Sequence, residues 1–410
     1  MLACTGCATG LTGPTTDVGP EGARIGGHVI SDAGGPTEYW VQYGLTTAYG
    51  SESAHQTIET TENQPASVAV PIEGLERSTT YHYRLCARDS EQTGGPGCGP
   101  DRRFTTQAVG CGETVTADLR LTGNLLCQQT DGLIVGAHGV EINLANHVLE
   151  GGITVGGGGP TGILNSGGYD DLTVRNGAVV GFGFGVSSDG NRTRVLDVFA
   201  SAAGNGVTFT GGAGSEIRNS EVFGRTWGIS AESAPGLVIA GSDFEGFFGG
   251  GLTATGDFAR IVRNRVINRG HEFPVAPGVE LVGSQARIAD NEVAGPWSRG
   301  GIVVSGASNA LLDNTVSGAA VPDVPSTSAV FGDGIFIGAF SSGTVLRRNV
   351  ANGNEGDGIE VRASGTRLGD NTANENGDLG IEAVAGVIDL GGNSASGNGN
   401  LLQCLNVVCQ

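Results

Sequence analysis

The stretch GDGIEVRASGTRLGDNTANENGDLGIEA, residues 356–383, contains the tripeptide Gly-Ile-Glu twice, 22 residues apart. A glycine followed by Ile, Val or Leu recurs at similar intervals along the chain, at Gly162, Gly185, Gly206, Gly228, Gly251, Gly278, Gly301, Gly334, Gly358 and Gly380. A second row has the same period and consists of Asn219, Asn264, Asn291, Asn314, Asn349, Asn371 and Asn393, with Asn176 further back and Ser242 in one gap. Two rows that share one period indicate a structural repeat.

The repeat has the composition of strands. It contains β-branched runs such as GIVVSG and GIFIG and shows no helical periodicity, which is typical of a solenoid whose coils stack at roughly 4.8 Å. Asparagine tolerates left-handed backbone at corners, and stacked asparagines can hydrogen-bond to one another. The period also predicts an inward-facing aliphatic stack that includes Ile163, Val186, Val207, Ile229 and Ile302.

The region from Cys111 to the C-terminus resembles secreted bacterial proteins of the right-handed parallel β-helix family. Its opening, CGETVTADLRLTGNLLC followed by VEINLANHVLEG, and its ending, GNSASGNGNLLQCLNVVC, are similar to the first and last coils of such proteins. The open ends of such a stack expose unpaired backbone. We expect the disulfides Cys111–Cys127 and Cys404–Cys409 to secure these ends.

Residues 12–107 have a different pattern, with short alternating strands separated by turn residues, which is typical of a β-sandwich. The segments YWVQYG and GLERSTTYHYRLCA resemble fibronectin type III domains. That family is mostly composed of spacers and adhesive modules. We therefore predict an all-β protein with an N-terminal tail (1–11), a fibronectin type III-like sandwich (12–107) and a right-handed parallel β-helix (108–410). The residues that carry the sandwich resemblance are Trp40, Tyr43, Leu75, Tyr81 and Tyr83.

Charge and hydropathy limit the partners. The net charge is -20 and lysine is absent, so the chain lacks the basic surface that binds nucleic acids. Anionic polysaccharides would need a divalent cation or a local arginine cluster. No segment reaches the ~18 apolar residues of a transmembrane helix. We expect no nucleic acid partner and no transmembrane segment.

The eight cysteines are grouped in pairs of short separation. This pattern indicates disulfides and an oxidising compartment, and hence an extracellular or cell-surface location. A zinc site at Cys4 and Cys7 has no second pair of ligands nearby. Alternatively, the tripeptide before Cys4 is similar to the end of a lipoprotein signal, in which case Cys4 is lipidated. The predicted disulfides are Cys4–Cys7, Cys86–Cys98, Cys111–Cys127 and Cys404–Cys409.

Two insertions interrupt the period, before Gly278 and before Gly334. Both precede the same strand of their coils, so residues 264–277, 294–300 and 317–333 are predicted to wall one groove, where a ligand would bind. Trp297 would offer a sugar its ring face, and His271 would be a base. Alternatively, Trp297 packs beneath the insertions and the charges are solvated. The predicted groove residues are Arg269, His271, Glu272, Trp297, Arg299 and Asp323.

An acidic row lies beside this groove. Asp333 and Asp357 immediately precede Gly334 and Gly358, two members of the repeated glycine row (the ladder glycines). Glu360 and Glu382 lie two residues after ladder glycines and are expected to point outward from the strands. Glu360 and Glu382 would form an acid/base pair about 5 Å apart, or Asp333 and Asp357 would bind Ca²⁺. The third interpretation is a solvated acidic surface. Arg362 beside this row is the nearest equivalent of the arginine base of pectate lyases.

Two functions fit these features. The first is an extracellular protein that binds a polysaccharide or cell-surface glycan along the groove and, if it is an enzyme, acts as a polysaccharide lyase or glycoside hydrolase. The second is a non-catalytic structural or adhesive rod. The clustered insertions favour the first function. The absence of the polygalacturonase and alginate epimerase signature motifs favours the second.

Overall fold

A computed structural model describes residues 7–90, 92, 94–152, 158–268, 276–320 and 332–410. All regular structure in these ranges is β-strand, and no helix within them is long and apolar enough to cross a membrane. The chain therefore belongs to the predicted all-β class. It divides into two compact units, one of residues 1–113, 119–127 and 145–149 and one of residues 114–118, 128–144 and 150–410.

The first unit contains a β-sandwich-like arrangement of nine strands. Strand β2 pairs antiparallel with β1 and β6, and β3 pairs antiparallel with β4, β5 and β7. Leu75, Tyr81 and Tyr83, three of the residues that carry the sandwich resemblance, are buried in its core. The strands are β1 (Ala8–Val18), β2 (Gly22–Ser31), β3 (Gly35–Gly44), β4 (Ser51–Glu52), β5 (Gln56–Thr60), β6 (Ala66–Glu73), β7 (Thr80–Asp89), β8 (Gly97–Cys98) and β9 (Arg102–Thr105).

The remaining strands form two long parallel sheets, one of 13 and one of 20 strands, in a solenoid of about 12 turns. The 13-stranded sheet contains Glu113–Val115, Leu133–Val135, Thr161–Asn165, Phe184–Ser188, Val207–Thr210, Ile229–Glu232, Leu252–Thr255, Val279–Val282, Ile302–Ser305, Ile335–Ile337, Ile359–Val361, Ile381–Ala383 and Cys404–Leu405.

The 20-stranded sheet contributes up to two strands to each turn, with a corner between them. It contains Leu119–Arg120, Leu125–Cys127, Glu141–Asn143, Val148–Gly151, Thr173–Phe182, Arg194–Ala202, Glu216–Arg218, Glu221–Gly224, Val238–Ala240, Asp243–Gly246, Arg260–Val262, Arg265–Ile267, Arg287–Ala289, Glu292–Ala294, Ala310–Leu312, Thr315–Ser317, Val345–Arg347, Val350–Asn352, Arg367–Gly369 and Ile388–Asp389.

The predicted aliphatic stack is present in the 13-stranded sheet. Ile335 lies opposite Ile359, and Ile359 lies opposite Ile381, in parallel register. Each member of the column is fully buried, so residues some 22 positions apart in sequence share one core. The column runs through Ile163, Val186, Val207, Ile229, Leu252, Val279, Ile302, Ile335, Ile359 and Ile381.

The glycine row has a steric cause. A Cβ atom on Gly334 would lie 2.6 Å from the carbonyl oxygen of Gly358, and one on Gly358 would lie 2.7 Å from that of Gly380. These separations are shorter than van der Waals contact. Each glycine therefore lets the next coil approach to hydrogen-bonding distance, which a side chain at that position would prevent.

The asparagine row forms a buried hydrogen-bonded ladder. The side-chain Nδ2 of each member donates to Oδ1 of the next at 2.9 to 3.0 Å, and Nδ2 also donates to a backbone carbonyl. The amide groups are thus satisfied without water. The ladder residues are Asn264, Asn291, Asn314, Asn349, Asn371 and Asn393.

Two details of the predicted ladder were wrong. The left-handed backbone lies one residue earlier, for example at Asp313 and Arg348 with φ of 57° and 54°. Asn176 and Asn219 occupy that corner position, with φ of 57° and 48°, and so they are not ladder members. Ser220 takes the ladder place, because its backbone N–H donates to the hydroxyl of Ser242.

A second buried ladder was not predicted. Asn354 donates to Asn376, Asn376 donates to Asn398, and Asn398 donates to Gln403, each through Nδ2 at 2.9 to 3.0 Å. It stabilises the turn that leads back to the 13-stranded sheet. The disulfide Cys404–Cys409 lies in the last turn, and the predicted bonds Cys86–Cys98 and Cys111–Cys127 are present too. Cys4 lies outside the described residues.

The steric role of the glycine row predicts that Gly358→Ala lowers the unfolding free energy by about 1–3 kcal/mol, because the added methyl group pushes adjacent coils apart. Gly158→Ala is the control, since a Cβ there meets nothing within 4 Å. Urea unfolding of both variants measures the difference. Equal stability of the two variants would contradict the steric explanation.

The ladder predicts that Asn349→Ala destabilises the protein by about 2–4 kcal/mol, because Asn314 loses its acceptor and buried groups are left unpaired. The matched control is Asn352→Ala. Asn352 is only half-buried, and water can replace the bond that its side chain accepts from the backbone of Asn374. Thermal unfolding followed by circular dichroism separates the two effects, and a loss at Asn349 no larger than that at Asn352 would rule out a buried ladder.

Candidate functional site

Two aspartates occupy the same place in consecutive coils, one residue before the ladder glycines. The Oδ1 atom of Asp333 accepts a hydrogen bond from the backbone N–H of Asp357 at 2.8 Å, and Oδ1 of Asp357 accepts one from Leu379 at 2.8 Å. Both side chains are only 5% exposed. One oxygen of each carboxyl group is therefore bound to the backbone of the next coil.

Two glutamates lie in register beside these aspartates. Glu360 and Glu382 are cross-strand partners, as their spacing predicted, and Phe336 lies opposite Glu360 in the preceding coil. We expected both glutamates to point outward from the strands, and one of the three interpretations was a solvated acidic surface. Strand alternation does place Glu360 away from the buried Ile359, yet Glu360 is only 7% exposed, so the interpretation as a solvated acidic surface is wrong for this residue.

Arg362 and Phe336 contribute to the cover over Glu360. The Nε atom of Arg362 donates to Oε1 of Glu360 at 2.5 Å, and its guanidinium group lies 5.2 Å from the centroid of the Phe336 ring. This cation–π contact places the arginine over the acidic row. The role of Phe336 was not anticipated, although its position two residues after Gly334 matches that of Glu360 after Gly358.

The buried carboxyl groups hold protons at unusually high pH. Burial raises the pKa of Asp333 to about 8, and the hydrogen bond and charge of Glu360 add to the rise. Burial likewise raises the pKa of Asp357 to about 7, with a contribution from Glu382. In both cases the hydrogen bond donated by a backbone N–H lowers the pKa, but it does not cancel the rise. The row therefore consists of two acid pairs, Asp333 with Glu360 and Asp357 with Glu382.

Three of these carboxyl groups have the chemistry of a divalent cation site. Oxygen atoms of Asp333, Asp357 and Glu360 all lie within 4.8 Å of one another. Hard anionic oxygens are the ligands that Ca²⁺ prefers, and a cation would relieve the repulsion among them. The residues therefore fit Ca²⁺, and Glu360 joins the two aspartates that the sequence indicated.

The structure describes only two of the six residues predicted to line the groove. Arg269, His271, Glu272 and Asp323 lie outside the described residues. Trp297 is completely buried and offers no ring face to a sugar, so the stacking role expected for it was wrong. The alternative interpretation, in which Trp297 packs beneath the insertions, stays a prediction, because most of the inserted residues lie outside the described ranges. Arg299 is exposed, and its place in a groove stays a prediction.

Residues 161–317 match the family described as right handed beta helix region. Among solved structures, DFA-IIIase from Arthrobacter chlorophenolicus A6 is 18% identical over 56% of this chain and 60% of that chain, with a TM-score of 0.39. Pectate lyase Pel9A is 14% identical over 74% and 71%, with a TM-score of 0.35. The sensor domain of the anti-sigma factor RsgI4 in Pseudobacteroides cellulosolvens is 16% identical over 27% and 100%, with a TM-score of 0.20. No curated protein matches the sequence.

The raised pKa values predict that the protein loses stability as pH rises. Between pH about 4 and 8 the folded state holds protons that the unfolded chain releases, so the unfolding free energy falls across this range. The double variant Asp333→Asn/Asp357→Asn should be more stable than the wild type near pH 8 by about 1–3 kcal/mol and should show a flatter pH dependence.

Urea unfolding near pH 5 and near pH 8, with a chelator present, measures this effect. Asp243→Asn is the control, because Asp243 is exposed on a strand of the other sheet. A wild type whose stability rises with pH, or a double variant that keeps the wild-type slope, would contradict the assignment.

Proposed function

We propose that this protein binds and cleaves a polysaccharide on the sheet face that carries Asp333, Asp357, Glu360 and Glu382. One observation carries the proposal: three buried carboxyl groups lie with oxygens within 4.8 Å of one another, beside a single arginine that contacts Glu360. Strongly perturbed carboxyl groups that share a site are typical of catalytic and ion-binding centres.

The energetics of burial support this proposal over a purely structural role. Buried carboxyl groups without cationic partners destabilise a fold. The position before the ladder glycine is held by Pro277 and Gly300 in the two preceding coils and by Leu379 in the following one. A rod can thus be built without acids at this place, and their presence in two consecutive coils favours a functional origin.

The two acid pairs have the properties needed for proton transfer. A carboxyl group with a pKa near 7, such as Asp357, can donate and accept a proton at neutral pH. Glu360 pairs with Arg362 beside Asp333, whose pKa is raised, so two acids in different electrostatic environments lie side by side, as in enzymes that divide acid and base roles between two acids. This division fits cleavage of a glycosidic bond.

The second proposal for the same residues is that they bind Ca²⁺. Asp333, Asp357 and Glu360 would hold the ion, which would supply positive charge for binding acidic sugars. Arg362 would then stand beside the ion as the candidate base. A lyase would need the ion, whereas a hydrolase would work without it.

A non-catalytic rod remains the second candidate function. The two saturated amide ladders and the disulfide in the last turn would make the solenoid resistant to unfolding. In that case the N-terminal unit, which we propose to be a fibronectin type III domain from the resemblance of its sequence, would be the adhesive part.

The three described disulfides are typical of proteins that fold outside the cytosol. We therefore propose an extracellular or periplasmic location. Attachment to the cell surface through a lipid on Cys4 stays a prediction.

The proposed function is tested by measuring the release of reducing ends and the absorbance of unsaturated products. The substrates are a panel of neutral and acidic polysaccharides, each assayed with Ca²⁺ and with a chelator. Asp357→Asn should lower cleavage by on the order of 10² or more, because it removes the titrating proton. Glu292→Gln, on an exposed position of the 20-stranded sheet, is the control. Binding without turnover in the wild type would leave a lectin-like or structural role, and activity unchanged by Asp357→Asn would exclude this site.

A further inference from the structure

Three consecutive coils carry phenylalanines on the outer side of the 20-stranded sheet. Phe199 is 38% exposed, and its ring lies 5.8 Å from that of Phe223, which is half-buried. In the next coil, Phe247 and Phe248 follow the strand Asp243–Gly246, with ring centroids 4.7 Å apart in an edge-on arrangement. These four residues are called the aromatic platform below.

The platform lies outside the hydrophobic interior. The inward-facing neighbours Val222 and Phe244 are buried, whereas Phe248 is 43% exposed. Exposed aromatic residues that cluster on one surface are typical of binding sites, since a sheet face in contact with water is otherwise polar.

Polar groups surround the rings. The guanidinium group of Arg225 lies 5.1 Å above the ring of Phe248. A cavity of about 340 Å³ opens beside the platform and has both apolar and hydrogen-bonding walls, which is the usual composition of a small-ligand site. It is lined by Ser201, Ala202, Phe223, Gly224, Arg225, Glu245 and Phe247.

The combination of aromatic faces with carboxylates and an arginine fits a sugar. The apolar face of a pyranose can cover an aromatic ring, while its hydroxyl groups donate to carboxylates and accept from a guanidinium group. The hydrocarbon chain of a lipid would leave the carboxylates unused. The chemistry of the platform therefore points to a carbohydrate.

Charge determines which carbohydrates fit. Glu221, Asp243 and Glu245 line the platform and the adjoining cleft, together with Arg265, and Arg265 already lies 3.5 Å from Glu292. The net charge of the chain is -20. A uronate chain would be repelled by these carboxylates, whereas an uncharged chain would not.

The platform and the carboxylate row lie along the same edge of the solenoid. Phe247 and Phe248 belong to the turn before Gly251, and Asp333 belongs to the equivalent turn before Gly334, three coils later. With coils stacked at roughly 4.8 Å, the axial separation is about 14 Å. An oligosaccharide that runs parallel to the axis can reach from one to the other.

We propose that the aromatic platform binds an uncharged polysaccharide and positions it for the carboxylate row. This inference rests on the proposed function, to which it adds a substrate class and a second binding surface. Phe248 and Phe223 are positioning residues, because they would contact the polysaccharide at a distance from the glycosidic bond that is cleaved.

Affinity measurements with the full chain test the inference. The probes are soluble glucan, xylan and fructan oligosaccharides as uncharged ligands, and polygalacturonate and alginate oligosaccharides as charged ligands. Phe248→Ala should weaken binding of an uncharged probe about tenfold, and Phe223→Ala should do the same. The control is Phe340→Ala, because Phe340 is 95% exposed in a different turn and should leave the Kd unchanged.

The outcomes separate this inference from the proposed function. Loss of binding in Phe248→Ala, with retention in Phe340→Ala, supports the platform. Unchanged Kd values in both platform variants overturn it, even if Asp357→Asn abolishes cleavage and so supports the carboxylate row. Preferential binding of polygalacturonate or alginate also overturns it. Circular dichroism confirms that each variant is folded, and Phe248 is the first choice because its side chain is largely exposed.

Discussion

The structure depends on one constraint, the close approach of each coil to the next. Parallel strands hydrogen-bond only when their backbones are within about 5 Å, and at the ladder glycines a single Cβ atom would intrude on the carbonyl oxygen of the neighbouring coil. The glycine row is therefore the reason why the aliphatic column can close. Once it closes, every residue of one coil lies against the residue about 22 positions later, and this vertical pairing determines which side chains are compatible with each position.

Vertical pairing has opposite consequences for amides and for carboxyl groups. An asparagine carries both donor and acceptor, so a column of asparagines satisfies itself, as the ladder from Asn264 to Asn393 does. A carboxylate carries only acceptors, and a second carboxylate in an adjacent place repels it. Burial, with a smaller contribution from the neighbouring carboxyl groups, raises the pKa values of Asp333 and Asp357, so both hold protons at unusually high pH. The same geometry that stabilises the amide columns thus brings together two carboxyl groups whose pKa values are raised to about 8 and about 7.

Part of the site could be predicted from residues alone. The spacing of Asp333 and Asp357 before their glycines, and of Glu360 and Glu382 after them, was sufficient to place them in adjacent coils, because register in a solenoid follows directly from the period. Burial could not be predicted in this way. Alternation along a strand gives the direction of Glu360 but says nothing about Arg362 and Phe336 above it. The burial of Trp297 could not be predicted for the same reason, because the sequence around an isolated tryptophan in a turn does not indicate whether its side chain faces inward.

The amino-acid sequence by itself determined the strand composition, the period, the columns that form the core and the disulfide pairs within the described residues, because each of these follows from spacing or from short-range contacts. Only the tertiary structure decided which carboxyl groups are buried, which corner residues take left-handed backbone and which phenylalanines meet on the outer surface. The physical reason is that burial and side-chain contacts depend on three coils at once. A periodic sequence specifies how neighbouring coils align, whereas the surroundings of one side chain are set by the different residues that each of those coils happens to contribute.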